Sequence, residues 1–181
     1  MKEVPDEKLR PEDVPSWTAP EERLLLAHLA REVPAGGLIV EIGGLYGGAT
    51  SVLASNAPEA QVVVVDDFSW APRGEASEDL LRDNMARRGI TNVEVVKGDS
   101  REVGSKWTKA IDLLFVDGGH SYEFVSSDLL FFGPWADVVA CHDYDNPHWP
   151  DIARAIEEWL AEHPERILER AVHMTAVIRR V

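Results

Sequence analysis

Apolar and polar positions alternate along this chain in blocks, and the blocks change period. Leu24, Leu25, Leu26 and Leu29 mark one face of a helix running to about Arg31, opened by a capping box of Thr18 and Glu21. Pro34 to Gly37 stop it. LIVEIG (38–43) is a short apolar run that leads into glycines, and 47–56 read as a helix. QVVVVDDF (61–68) is β-branched and closes on acids, 78–89 are helical in composition, and NVEVVKGD (92–99) alternates and stops. AIDLLFVDGG (110–119) is a further apolar strand, 121–132 a helix with Ser121 as N-cap, and ADVVACHD (136–143) a fifth strand. Pro150 suits the first turn of a last helix with Ile152, Ile156, Trp159 and Leu160 on one face. The tail from Arg166 reads as two strands joined by a short turn. Near-continuously apolar strands alternating with helices predict an α/β fold, its parallel sheet covered on both faces.

Composition narrows the classes. The 181 residues fit one domain, with residues 1–17, broken by Pro5, Pro11 and Pro15, as an extended arm and 18–181 as the domain. No apolar run reaches the ~20 residues that span a bilayer, and the first residues carry no secretory apolar segment. One cysteine, Cys141, cannot form an intrachain disulfide, so a reducing cytoplasmic setting is expected. The net charge of −14 without a basic cluster argues against nucleic acid and anionic membranes as partners. A small molecule is the expected partner, and self-association into a homo-oligomer is left open.

Ligands of such sheets bind beyond the carboxyl ends of the strands. Five segments fall there. Glu41-Ile-Gly-Gly-Leu-Tyr-Gly-Gly-Ala-Thr50 places glycines between a strand and a helix start, where backbone can approach a ligand. It does not fit the dinucleotide fingerprint G-x-G-x-x-G. Asp66-Asp67 lies about 20 residues on, where an acid can bind a ribose diol. Gly98-Asp99-Ser100, Asp117-Gly-Gly-His120 and His142-Asp143-Tyr144-Asp145 end the next three strands. Each has a plainer reading: a tight turn, an acidic strand end in water, a turn with an aspartate N-cap, an aspartate cap with an incidental histidine, a solvated rim. Asp117 and Asp143 on adjacent strands would repel each other unless a cation or proton lies between them, and two carboxylates suffice for Mg²⁺. A nitrogen ligand would shift preference toward Mn²⁺, Fe²⁺ or Zn²⁺. Of the other histidines, His28 and His163 read as helix surface, His173 as strand, and His148 as a loop residue able to line the site.

Taken together, the motifs EIG…G…T, D-x-F, GDS, DG-x-HSYE and HDY resemble class I S-adenosylmethionine-dependent methyltransferases. The similarity is to the small family that O-methylates sugars and other natural-product hydroxyls, and it covers residues 38–160. The resemblance implies a doubly wound, Rossmann-like methyltransferase sheet with a C-terminal antiparallel pair. It implies that Glu41, Gly43 and Gly47 line the methionine end of the cofactor, with Thr50 matching the family's helix-start threonine at the cofactor loop, that Asp66 holds the ribose and that Asp99 and Ser100 flank the adenine. It further implies His120 as general base and Asp117 and Asp143 as ligands of a divalent metal, Mg²⁺ first and Mn²⁺ second, to which His142 is a possible third ligand. Gly119 and His142 depart from the acids many relatives carry there, and the long substrate-lid insertions are missing. The expected activity is methyl transfer to a hydroxyl of a sugar or phenolic acceptor. The alternatives are a non-catalytic cofactor-binding or regulatory subunit and a hydroxylase-like or metal-free enzyme on the same fold. The arm, the loop 68–77 and the loop 144–149 are expected to roof the site.

Overall fold

In the computed structural model, which describes residues 14–70 and 76–181, the apolar runs become seven strands of one sheet. Helix α1 (Pro20–Glu32) leads into β1 (Leu38–Ile42), α2 (Gly48–Asn56), β2 (Gln61–Asp66), α3 (Glu78–Arg87) and β3 (Val93–Lys97). Then follow α4 (Ser100–Gly104), β4 (Ile111–Val116), α5 (Tyr122–Phe132), β5 (Ala136–Cys141), α6 (Pro150–Glu162), β6 (Arg166–Val172) and β7 (Thr175–Arg180). The strand order is β3-β2-β1-β4-β5-β7-β6. All pairings are parallel except those of β7, which runs antiparallel between β5 and β6. This is the doubly wound sheet with a C-terminal antiparallel pair that the motifs implied.

The period-2 geometry of a strand explains why these runs are apolar throughout. Ile39, Val62, Val64, Leu113 and Phe115 point to one face and meet Leu26, Leu29, Val52 and Leu53 of α1 and α2. Val40, Val63, Val65, Leu114 and Val116 point to the other and meet Val125, Leu129, Ile152 and Ile156 of α5 and α6. Each such side chain taken from water contributes about 1.5–3 kcal/mol, so both faces must be covered.

Two local readings change and one extends. The helix α1 starts one residue later than the Thr18–Glu21 box predicts. Pro20 lacks an N–H and fixes its own φ, so it takes the first helical position and forces Ala19 into extended backbone (φ −67°, ψ 161°). Glu22, not Glu21, then accepts from the Ala19 N–H at 2.7 Å. The turn at Gly98-Asp99-Ser100 continues into the short helix α4, with Asp99 as the N-cap of its plainer reading, accepting from the Arg101 N–H at 2.9 Å. His173 lies in the β6–β7 turn with φ +53°, not in a strand. Of the expected arm, residues 1–13 lie outside the described ones; Val14 is buried, and a Cβ on Gly48 would collide with Ser16 at 2.6 Å.

Candidate functional site

The strand order reverses between β1 and β4, and the crevice opens there. Four backbone hydrogen bonds carry the ladder one step past the strands. Gly43 N donates to Val65 O, Asp117 N to Ile42 O, His142 N to Val116 O and Gly98 N to Asp66 O, all at 2.9–3.0 Å. The sheet register therefore sets Gly98, Gly43, Asp117 and His142 in one row across its carboxyl edge. Gly43 has φ +91°, and a Cβ there would fall 2.1 Å from the Asp117 carbonyl oxygen, so only glycine lets β1 and β4 diverge at this closeness. Non-glycine residues with positive φ gather here too: Leu45, Asp143 and His173 all line the crevice.

The row floors a cavity of about 740 Å³, within the range of small-molecule sites. Gly43, Asp66, Asp99, Ser100, Asp117, His120, His142 and Asp143 line it. Asp66 accepts from Leu45 N at 2.7 Å and from Phe68 N at 2.6 Å. It thus joins the glycine loop to the β2 loop, and an ionised carboxylate still has lone pairs for two hydroxyls. Asp99 is tied to the Arg101 guanidinium as well as capping α4.

Glu41, Gly47 and Thr50 do not reach the wall. Gly47 (φ +89°) is the N-cap of α2 and packs on Leu81 and Met85. Thr50 and Glu41 are fully buried behind the loop, with Thr50 Oγ1 donating to Glu41 Oε2 at 2.6 Å. Burial, opposed by that hydroxyl and reinforced by the charges of Asp117 and Asp66, pushes the Glu41 carboxyl up to about 8. Its Oε1 has no hydrogen-bond partner among the described residues. Three acids around a glycine loop, one forced to keep its proton, favour a cationic group in the crevice.

His120 and His142 sit differently. His120 is partly exposed in the cavity, with Nε2 3.2 Å from Asp143 Oδ2. His142 is buried. Its Nε2 lies 3.1 Å from Glu22 Oε2, and its Nδ1 lies 3.0 Å from Asp117 Oδ1 and 3.3 Å from Asp143 Oδ2. The Nδ1 contacts have ion-pair distance without hydrogen-bond alignment. Burial opposes a charge on this ring, but Asp117, Asp143 and Glu22 outweigh it and hold the imidazole protonated well above its usual range. The repulsion expected between Asp117 and Asp143 is thus relieved by a side chain from the same strand end. One ligand atom each from Asp117, His120 and Asp143 lies within 4.8 Å of the others. The convergent histidine of that group is His120, while His142 stands beside it between the same two aspartates.

Glu22 escaped the sequence reading, because an acid in the first turn of a helix looks like a dipole-compensating surface residue. It is 1% exposed and also accepts from Thr175 Oγ1 at 2.9 Å and Met174 N at 3.2 Å. Burial raises its pKa, but the His142 hydrogen bond and charge, with the Ala19 and Thr175 donors, bring it down to about 2. The folded value lies below the unfolded one, so this stabilisation is present above pH 4.5 and is lost as the pH falls toward 2. Glu22→Ala leaves a buried imidazolium short of a partner, a loss of about 3–5 kcal/mol; urea unfolding at pH 7 checks this, and a loss below 1 kcal/mol would contradict it. Of the expected roof, Trp17, Ser69, Trp70, Asn146 and Trp149 line the cavity. Residues 71–75 lie outside the described ones, and His148 is exposed, not on the wall. His28 and His163 are half-buried on or at the end of helices.

Residues 40–144, more than half of the chain, match the family described as methyltransferase domain. The chain belongs to this family, on the class I fold. A curated relative, an uncharacterized protein of Acanthamoeba polyphaga mimivirus, is 25% identical over 134 residues, which span 68% of this chain and 59% of that protein. The O-methyltransferase NovP superposes with a TM-score of 0.75 at 18% identity, covering 90% of this chain and 81% of NovP. The O-methyltransferase TomG from Streptomyces achromogenes, solved in complex with S-adenosylmethionine, gives 0.66 at 18%, covering 97% and 88%. A putative caffeoyl-CoA O-methyltransferase from Staphylococcus aureus gives 0.68 at 16%, covering 94% and 87%. At these identities the likeness is one of fold. Among the described residues, no helix is long and apolar enough to cross a membrane.

Proposed function

We propose that the protein transfers a methyl group from S-adenosylmethionine to a hydroxyl of a small molecule, a sugar or phenolic compound, with His120 as general base. The observation that carries this is His120 in the cavity, hydrogen-bonding distance from Asp143 and next to the row that ends in Gly43 and Asp117. Bound there, the cofactor supplies an electrophilic methyl group on a sulfonium. The residues fit it: Gly43 leaves room at the switch point, Asp66 keeps lone pairs free for the ribose, and the acids favour its cationic end. Asp143 lies 3.2 Å from Nε2 of His120, a placement that favours the proton on Nε2 and leaves Nδ1 to act as the base. His120 receives the acceptor's proton as the oxygen attacks the methyl carbon in line, and the carbon–sulfur bonding pair leaves with sulfur. Calorimetry with S-adenosylhomocysteine tests the cofactor assignment: micromolar binding in the wild type and at least tenfold weaker binding in Asp66→Ala are expected. No binding to the wild type would sink the reading.

Asp117, His120 and Asp143 form a donor set that suits a divalent metal, which would orient the acceptor oxygen. A metal-free reading is favoured by one observation: His142 already supplies a cation between those aspartates. Assaying the chelated enzyme separates the two. Activity lost and restored by Mg²⁺ or Mn²⁺ supports the metal; full activity without it supports the imidazolium.

A further inference from the structure

The cavity mouth is built from three of the chain's six tryptophans, and the reading above assigns none of them a role. Trp149 stacks on His120 with ring centroids 5.1 Å apart and planes at 27°. Trp70 meets the same imidazole edge-on at 6.2 Å, and Trp17 lies 6.1 Å from Trp70. They come from three separated segments: Trp149 and Trp70 meet His120, and Trp17 adjoins Trp70. All three are about half exposed, at 50%, 54% and 43% for Trp17, Trp70 and Trp149. Indoles left this open to water at the rim of a polar-floored cavity offer flat faces to a ligand.

Charge refines the class. Six carboxylates line the cavity, and among the described residues no lysine or arginine does. Glu22, Asp117 and Asp143 share His142, Asp99 is paired with Arg101, and Asp66 holds the two loops. Among the described residues Asp67 accepts only from Ser69 N, through Oδ1; it is exposed and stands three residues before Trp70. The segments outside the described residues do not reverse this balance: residues 1–13 carry three basic and five acidic side chains, and 71–75 one of each. A phosphate-, carboxylate- or coenzyme A-bearing acceptor would meet repulsion, because among the described residues of the wall the His142 imidazolium is already held by Glu22, Asp117 and Asp143. Asn146 at this mouth is already bound to Asp143 and His148 N, which leaves Asp67 as the open carboxylate among the described residues beside Trp70. Indole faces next to such a carboxylate attract an organic cation.

Resting on the methyl-transfer reading, we propose that the acceptor is an aromatic hydroxy compound that carries an ammonium group, its ring and cation held by Trp17, Trp70 and Trp149 and its hydroxyl presented to His120. The cation needs no partner beyond the indole faces and Asp67.

The test uses three catechols that differ only in side-chain charge: dopamine, 4-ethylcatechol and 3,4-dihydroxyphenylacetate, with methyl glucoside as a sugar. Binding to the protein loaded with S-adenosylhomocysteine is measured by calorimetry, and methyl transfer is measured separately. Dopamine is expected to bind at least tenfold more tightly than the neutral catechol, and the carboxylate and the glucoside more weakly still. Trp149→Ala should weaken dopamine binding at least tenfold, and Trp149→Phe should restore most of it. Equal or tighter binding of the neutral catechol, the carboxylate or the glucoside would overturn the proposal, even where that compound is methylated and the O-methyl reading stands. Selective dopamine binding without any methyl transfer would support the ligand class and count against the O-methyl reading alone.

Discussion

Replacing His120 by alanine is expected to lower the methyl-transfer rate by about 10²–10⁴-fold, the range for losing a positioned general base. The cavity explains the size of the effect. A neutral hydroxyl is a poor nucleophile, and among the described residues lining the cavity the other histidine beside Asp117 and Asp143 is His142, held as a cation between carboxylates and unable to accept a proton. His120 faces one carboxylate through Nε2 and is open to the cavity. Affinity for S-adenosylhomocysteine should stay within a few-fold of wild type, because the variant leaves Gly43 and Asp66 in place. Single-turnover kinetics with saturating cofactor make the measurement. A rate within a few-fold of wild type would move the base elsewhere. Metal content measured on the same variant separates a base from a ligand, since loss of a bound metal together with activity would place His120 in the coordination shell.

The second large effect is expected from Gly43→Ala. Its Cβ would sit 2.1 Å from the Asp117 carbonyl oxygen, a backbone atom of the residue whose N–H is fixed to Ile42 O. The positive φ adds strain of about 1–3 kcal/mol. Either β1 and β4 separate at their carboxyl ends or the loop turns away, and both disturb the crevice floor. The variant should lose about 3 kcal/mol or more of stability in urea unfolding and bind S-adenosylhomocysteine at least a hundredfold more weakly. Gly36→Ala is the control: φ is +76°, but nothing lies within 4 Å of the new Cβ. It should cost only the backbone strain and leave the cofactor alone. If the two variants behave alike, the close approach of β1 and β4 has no part in binding.

Much of this was legible in the chain. Five β-branched or leucine-rich runs ending in Gly43, Asp66, Gly98, Asp117 and His142 place the sheet and its reactive edge, because strands buried on both faces must be apolar throughout. The order of the motifs along those ends was sufficient to indicate the family. The ribose-spaced Asp66 and the strand-end Asp117, His120, His142 and Asp143 do converge on one cavity.

What depended on the tertiary structure is which side chains share that cavity and in what charge state. Glu41 and Thr50 belong to the motif but lie behind the wall, since β1 turns its Glu41 side chain to the helix α2 side, where only Thr50 meets it. Glu22 carries no local signal, because its partner His142 is 120 residues away in sequence, and the pairing of the arm residue Trp17 with Trp70, 53 residues on, is likewise made by the fold. The protonated His142 follows from three carboxylates contributed by α1, the β4 end and the β5 end meeting around one buried ring. Hydrophobic period is a local property and reads directly from sequence; proximity of charges and rings across segments is created only by packing, and it is packing that sets the chemistry of this crevice.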